Sequence, residues 1–248
     1  MGANHRLRDA LARSGFSPAG LANELGVDPK TVSRWLTGRI PYPRHRTDVA
    51  RLVNEFESVL WPTAISDEDA PEVARSEILR TYPHRSAVPI DLWSRTFDQA
   101  RERILILAYS GLFLPETDPN LVEKLRTKAR SGTEVVILMG DPDSEAVAIR
   151  GTDEGIGDAL AAKIRNVLAF YRPLADEPAI HLGFHASTLY NSIYVYDDDM
   201  FVNTHVYGSP AAHAPVHHLR RLGTGQLFAT YMRSFNRVRS ESTRILES

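Results

Sequence analysis

Short clusters of apolar residues recur about every 3.6 positions through the first sixty residues, as they do on amphipathic helices. Leu7, Ala10 and Leu11 form one such face, and Gly15 ends that helix. Ser17 is a good N-cap with Pro18 at the first helical position, and Leu21, Ala22 and Leu25 line a second face. Gly26 supplies a tight turn. Asp28 and Pro29 then open a third helix with Val32, Trp35 and Leu36 inward, and a later helix is predicted from about Thr47 to Val59.

From Ile104 the period changes. Ile104 to Tyr109 and Glu134 to Met139 are short continuous apolar runs, as in buried strands. Between them Leu121, Leu125 and Ala129 repeat at helical spacing, so strand, helix and strand make a parallel βαβ unit. A long helix is predicted over about Asp158 to Tyr171, with Leu160, Ile164, Val167 and Leu168 inward. Thr188 to Tyr196 and Met200 to Val206 read as a hairpin around Asp197-Asp198-Asp199. A last helix covers about Gly225 to Glu241, with Leu227, Tyr231 and Phe235 on its face.

Trp61-Pro62 and the acidic Ser66 to Pro71 stretch mark the join, and Pro71 to Tyr82 keeps a helical reading. The expected class is therefore α/β: an all-α domain over residues 1–60, a linker or helix over 61–80, and an α/β domain over 81–248.

Two short helices joined by a turn of three to four residues are the requirement of a helix-turn-helix. Ala22 is small enough for a crossing helix to approach, and Gly26 can take the positive φ that the bend needs. With Val32, Trp35 and Leu36 inward, Lys30, Arg34 and Thr37 face outward, flanked by Thr31 and Ser33. The start of such a recognition helix reads base edges in the major groove. Arg34 suits guanine, and Thr31 or Ser33 suits bases or phosphates. Lys30, Arg39, Arg44 and Arg46 read as charges that position the protein on the DNA backbone.

Charge supports that reading. Residues 1–47 hold eight basic and three acidic residues, a local +5 in a chain of net charge −2. Ser17 to Arg39 resembles the Cro/repressor-like (XRE) helix-turn-helix, and the resemblance covers about residues 3–58. That family often has Gln at the start of its second helix, contacting a phosphate; this chain has Pro18 there. The resemblance implies double-stranded DNA as a partner.

The later layout, about residues 85–245, resembles the phospholipase D-like fold, with Gly140-Asp141-Pro142 after the second strand and an acidic-turn hairpin. The whole arrangement is similar to actinobacterial regulators that join an XRE head to such a body, through Leu189 to Gly208 above all. Single-copy members usually pair to complete the site, so the resemblance implies a homodimer, which also suits two DNA half-sites. Active members carry His-x-Lys-x4-Asp, where His attacks phosphorus and Lys holds the phosphate charge. The four lysines here are Lys30, Lys124, Lys128 and Lys163, and the residues two before them are Asp28, Val122, Arg126 and Ala161. None is His. Aligning Asp198 with the motif acid puts Asn191 at the nucleophile and Ile193 at the lysine, neither able to do that chemistry. No catalytic residue is expected.

A body without its chemistry suits a sensor of a small, anionic effector. Ser110 and Asp141 lie just past strand ends, where open α/β sheets bind ligands, and Arg150 suits phosphate or carboxylate. Asn191, Asn203, His205 and Tyr207 complete the expected ligand-binding set. His213 and His217 have an i, i+4 spacing, but Pro215 between them disfavours a helix and no third ligand follows, so no metal site is expected. The loop Asp153 to Gly157 has two glycines but acidic charge, and reads as a helix entry or cover.

With no cysteine, disulfides and thiolate chemistry are excluded, and no cofactor is implied. No apolar signal core opens the chain and no run of about 18 apolar residues spans a membrane, so a cytoplasmic location is expected. The leading function is a sequence-specific transcriptional regulator. The competing ones are a phosphodiesterase or nuclease brought to DNA by the head, and an architectural adaptor.

Overall fold

The computed structural model describes residues 4–53, 55, 57–61, 77–222 and 225–245. Contacts divide the chain into two units, Met1–Glu77 with Arg221–Thr230, and Ile78–Arg220 with Tyr231–Ser248. The chain is α/β: the described part of the first unit is helical, and the second holds a mixed sheet.

In the first unit, α1 (His5–Ser14), α2 (Pro18–Glu24), α3 (Pro29–Leu36), α4 (Pro43–Leu52) and α5 (Glu57–Leu60) follow one another through short turns. The local chemistry is as the sequence dictates. Ser17 accepts a hydrogen bond from the Gly20 amide, and Asp28 accepts one from that of Lys30. Gly26 sits at φ 62°, the left-handed conformation that turns the chain between α2 and α3. Leu7, Leu11, Leu21, Ala22, Val32 and Trp35 share one core with Val49, Val53, Leu60 and Trp61. The helix expected from Thr47 to Val59 is instead α4, starting earlier, followed by the separate α5.

The second unit is built on one eight-stranded sheet, ordered β1 (Ile78–Tyr82), β7 (Val216–Arg220), β6 (Asp199–Thr204), β5 (Asn191–Tyr196), β2 (Arg103–Ala108), β3 (Glu134–Gly140), β4 (Ile180–His185) and β8 (Thr243–Arg244). β2, β3 and β4 are parallel, and the other pairings are antiparallel. The helices of this unit are α6 (Ile90–Gln99), α7 (Phe113–Thr117), α8 (Leu121–Arg130), α9 (Glu145–Asp153) and α10 (Ala159–Tyr171), with α11 (Leu227–Glu241) from Tyr231 onward. The βαβ unit and the hairpin form where the apolar runs put them. Ile78 to Tyr82, helical by its sequence pattern, is a strand held by β7, and residues 71–76 lie outside the described part. The inward face of α11 is Phe228, Met232 and Phe235, one residue round from the expected Leu227 and Tyr231.

This topology brings many loops to one sheet edge. The carboxyl ends of β2, β3 and β4 point the same way, and Leu107 pairs with Ile193, so β5 begins at that edge. Asn191 pairs with Thr204 and Asn203 with Val216, so β6 ends there and β7 begins there.

Candidate functional sites

The first candidate is the outer face of the helical unit. Val32 and Trp35 are buried, whereas Lys30, Ser33 and Arg34 on the same helix, and Thr37 at its C-cap, are exposed. Ser33 and Thr37 hydroxyls donate to the Pro29 and Arg34 carbonyls, which leaves their oxygens free to accept outward. Thr31 is half-buried. A cleft of about 540 Å³ gathers Thr31, Arg34, Arg39 and Arg44 with Tyr42 and His45 at its walls. Tyr42, 71% exposed, and His45, whose ring lies against Trp35 at 5.7 Å, carry no sequence signal for this role. The cleft thus collects three guanidinium groups against one carboxylate, Asp28, and is electropositive.

Arg46 departs from the outward-facing charge expected of it. Its side chain is 11% exposed, its Nε donates to Glu57 Oε2 at 3.2 Å, and its Nη1 donates to the Pro41 carbonyl. Thr47 donates to the other Glu57 oxygen at 2.6 Å. The reason is periodic: Arg46 stands one turn before Val49 and Ala50 on the buried face of α4. Its charge ties α4 to α5 instead of reaching a phosphate.

The second candidate is the sheet edge of the larger unit. His205, just past β6, is held at both ring nitrogens: Nδ1 lies 3.1 Å from the Leu189 carbonyl and Nε2 3.1 Å from the Ser192 hydroxyl. A neutral ring satisfies both contacts, with Nδ1–H donating to the carbonyl and Nε2 accepting from Ser192. Tyr109, at the end of β2, stacks on His205 at 5.7 Å and leans on His185 at 5.9 Å, and its hydroxyl accepts the Leu189 amide. Burial, then the nearby Arg150 charge, pushes the His205 ring down to about 4. Burial also lowers His185.

The sign of the linkage follows. Between about 4 and the unfolded value near 6.5, the unfolded chain binds a proton at His205 that the folded chain refuses. The contribution of this group to stability is complete above that window and is lost as pH falls through it. In an NMR titration the His205 ring resonances stay constant from about pH 8 to about pH 5.5. A midpoint near the ordinary histidine value contradicts the burial.

Arg150 on α9 is also engaged. Its Nη2 pairs with Glu154 at 2.7 Å, both side chains less than 10% exposed, and donates to the Ser209 carbonyl. The loop Asp153 to Gly157 that holds Glu154 is tied back by the Ile156 and Gly157 amides on the Gly151 carbonyl. A side chain at Gly151 would lie 2.2 Å from the Gly157 carbonyl, so only glycine allows this closure. Asn203 is wholly buried and donates to the Ala214 and Pro215 carbonyls. Asp141 caps its own turn, accepting the Asp143 amide. Ser110 and Asn191 are half-buried at the edge, and Tyr207 is 84% exposed.

Of the seven residues expected to bind a ligand, Asp141, Arg150, Asn203 and His205 are engaged as structural partners at or beside this edge, Ser110 and Asn191 lie half-buried there, and Tyr207 is exposed. Ile193 is fully buried, and Asp198 lies at the hairpin tip, at the far end of β5 from Asn191. The neighbouring Asp197 takes the Arg101, Glu102 and Arg103 amides and braces the start of β2. His213 lies in a short 3-10 turn and His217 on β7, so they share no helix face. Among the described residues, no three His, Asp or Glu side chains are grouped to hold a metal ion, and no helix is long and apolar enough to cross a membrane.

No family model matches the chain, and no curated protein matches it. Among solved structures, it is similar to TrmBL2, an archaeal chromatin protein described as showing a novel mode of DNA binding, with 12% identity and a TM-score of 0.43 over 82% of this chain and 62% of that one. It is similar to Nuc from Salmonella typhimurium, a phospholipase D family member, with 16% identity and a TM-score of 0.38 over 67% and 95%. It is also similar to phosphatidylserine synthase of Haemophilus influenzae Rd KW20, with 15% identity and a TM-score of 0.42 over 98% and 56%. The chain thus spans less than two thirds of the first and third of these proteins, and all three likenesses are loose.

Proposed function

We propose that the chain is a sequence-specific, DNA-binding transcriptional regulator of XRE type, working as a homodimer in the cytoplasm. The observation that carries the proposal is the exposed edge of α3: Lys30, Ser33, Arg34 and Thr37 face solvent beside a cleft holding Arg39 and Arg44, while Val32 and Trp35 anchor the helix. Donors at this spacing along a recognition helix suit the major groove, and flanking arginines suit phosphate. Two such heads in a dimer read half-sites about one helical turn apart. Titration of labelled duplex DNA, followed by anisotropy at fixed salt, tests it: one operator binds at least about a thousandfold more tightly than scrambled duplex. Equal affinity for both overturns it.

In this reading the larger unit is not an enzyme. The meeting of His185, His205 and Tyr109 at the sheet edge favours the alternative, a phosphodiesterase. Against it, His205 has both nitrogens occupied and Arg150 is neutralised by Glu154, so neither of these two residues offers a free nucleophile or a free phosphate-holding charge. Assayed on bis(p-nitrophenyl) phosphate, with and without added divalent metal, the protein gives no turnover above background. Turnover that disappears in His205→Ala establishes the enzyme instead.

A further inference from the structure

The larger unit has a cavity of about 440 Å³ lined by none of the edge residues discussed above. Its walls are aromatic and aliphatic: Trp93 and Phe97 from α6, Phe113 and Leu114 from α7, Leu121 from α8, and Tyr196 from β5. The Trp93 ring on the wall is fixed by its aromatic neighbours, of which Tyr194 and Phe201 lie buried behind the cavity. Trp93 meets Phe113 edge-on at 5.3 Å and Tyr194 edge-on at 5.2 Å, and lies against Phe201 at 4.3 Å. Ile90 at the cavity wall is 61% exposed.

The charges around the cavity are asymmetric. Asp118, on the wall, is taken by Lys124 at 2.7 Å, a contact that holds its carboxyl below the usual range. Arg85, also on the wall, lies with its guanidinium 4.2 Å from the centre of the Phe113 ring, its charge close to the buried Tyr194 hydroxyl. Among the described residues no carboxylate forms an ion pair with Arg85. A planar cation stacked on an aromatic wall, its charge unmatched and its five donors only partly used, is arranged for a carboxylate next to a flat apolar body. The cavity volume falls within the roughly 300–1,000 Å³ typical of small-molecule sites, so one or two rings fit.

We infer that this cavity is a binding site for a small aromatic carboxylate, its ring held by Trp93, Phe97 and Phe113 and its carboxylate by Arg85. The inference stands apart from the DNA reading and from Arg150, whose charge is already matched. Its test is calorimetric titration of the full-length protein with 2-naphthoate and with the neutral 2-naphthylmethanol as probes. The acid binds saturably, one per chain, and more tightly than the alcohol. Arg85→Gln weakens the acid about tenfold or more and removes the preference. Ser94→Phe, at an exposed position on the cavity wall, weakens both probes by filling the space. Equal affinity for acid and alcohol in the wild type, an unchanged preference in Arg85→Gln, or no saturable binding at millimolar concentrations overturns the inference. Because no DNA enters the assay, these results are independent of the proposed regulator function.

Discussion

Glu57→Ala costs the helical unit about 3–5 kcal/mol, most of what holds a domain of that size together. The substitution strands the Arg46 guanidinium in a site where its side chain is 11% exposed, and leaves the Thr47 hydroxyl only the longer contact to the Pro43 carbonyl. Water cannot replace the lost carboxylate there without opening the junction of α4 and α5. The loss is one of pairing, not of charge as such: the double variant Arg46→Met/Glu57→Leu recovers most of the stability, since apolar side chains of similar volume can fill a buried ion-pair site. Denaturant unfolding followed by the emission of the buried Trp35 and Trp61 reports on this core. A Glu57→Ala midpoint equal to the wild type contradicts the assignment of Arg46 as an internal strut.

Removing Lys30, Arg39 and Arg44 together has the largest expected effect on DNA affinity. These side chains are exposed and pair with no carboxylate among the described residues, so their substitution by Ala leaves the fold intact. As charges on phosphates they contribute to every sequence equally. The triple variant therefore binds operator and random duplex more weakly by a similar factor, on the order of a hundredfold at physiological salt. The slope of log affinity against log salt becomes shallower by about 0.9 for each phosphate that is no longer neutralised. Anisotropy titrations at several salt concentrations measure both quantities. An unchanged slope places the DNA on another surface.

The contrast between Arg46 and these three residues shows where charge reading fails. All four lie in the basic segment, and composition treats them alike. Positions 46, 49, 50 and 53 form one helical face once α4 is allowed to begin at Pro43, and Arg46 falls on it beside three apolar residues. Its partner, Glu57, lies in a separate helix, so the compensating ion pair is not visible from local pattern. The turn of α2 and α3 was legible because its determinants are local: Ser17, Gly26, Asp28 and Pro29 each act within a few residues of themselves.

The sheet divided along the same line. β2, β3 and β5 are central and largely apolar, so their runs stood out. β1, β4 and β7 carry Arg, Thr and His, and only their pairing makes them strands: Thr81 faces His217 on β7, and Gly140 faces His185 on β4. Missing β4 hid His185, and with it the Tyr109 packing that organises the sheet edge. The residues of the aromatic cavity come from three helices, a short turn and a strand, so no sequence window contains the site. The site residues chosen from strand ends do converge in space, because parallel strands end together. The side chains of Asp141, Arg150, Asn203 and His205 are taken by neighbouring backbone and side-chain groups, which periodicity does not reveal.

The most direct test of the central claim is selection of bound sequences from random DNA, run in parallel for the wild-type protein and Arg34→Ala at one salt concentration. Arg34 is exposed in the last turn of α3, away from its buried anchors, and the Arg–guanine pair it is assigned contributes about 1–3 kcal/mol of discrimination. The account predicts a two-fold symmetric motif for the wild type, with one position per half-site that loses its guanine preference in the variant. The absence of any enriched motif, or an identical motif from both proteins, contradicts it.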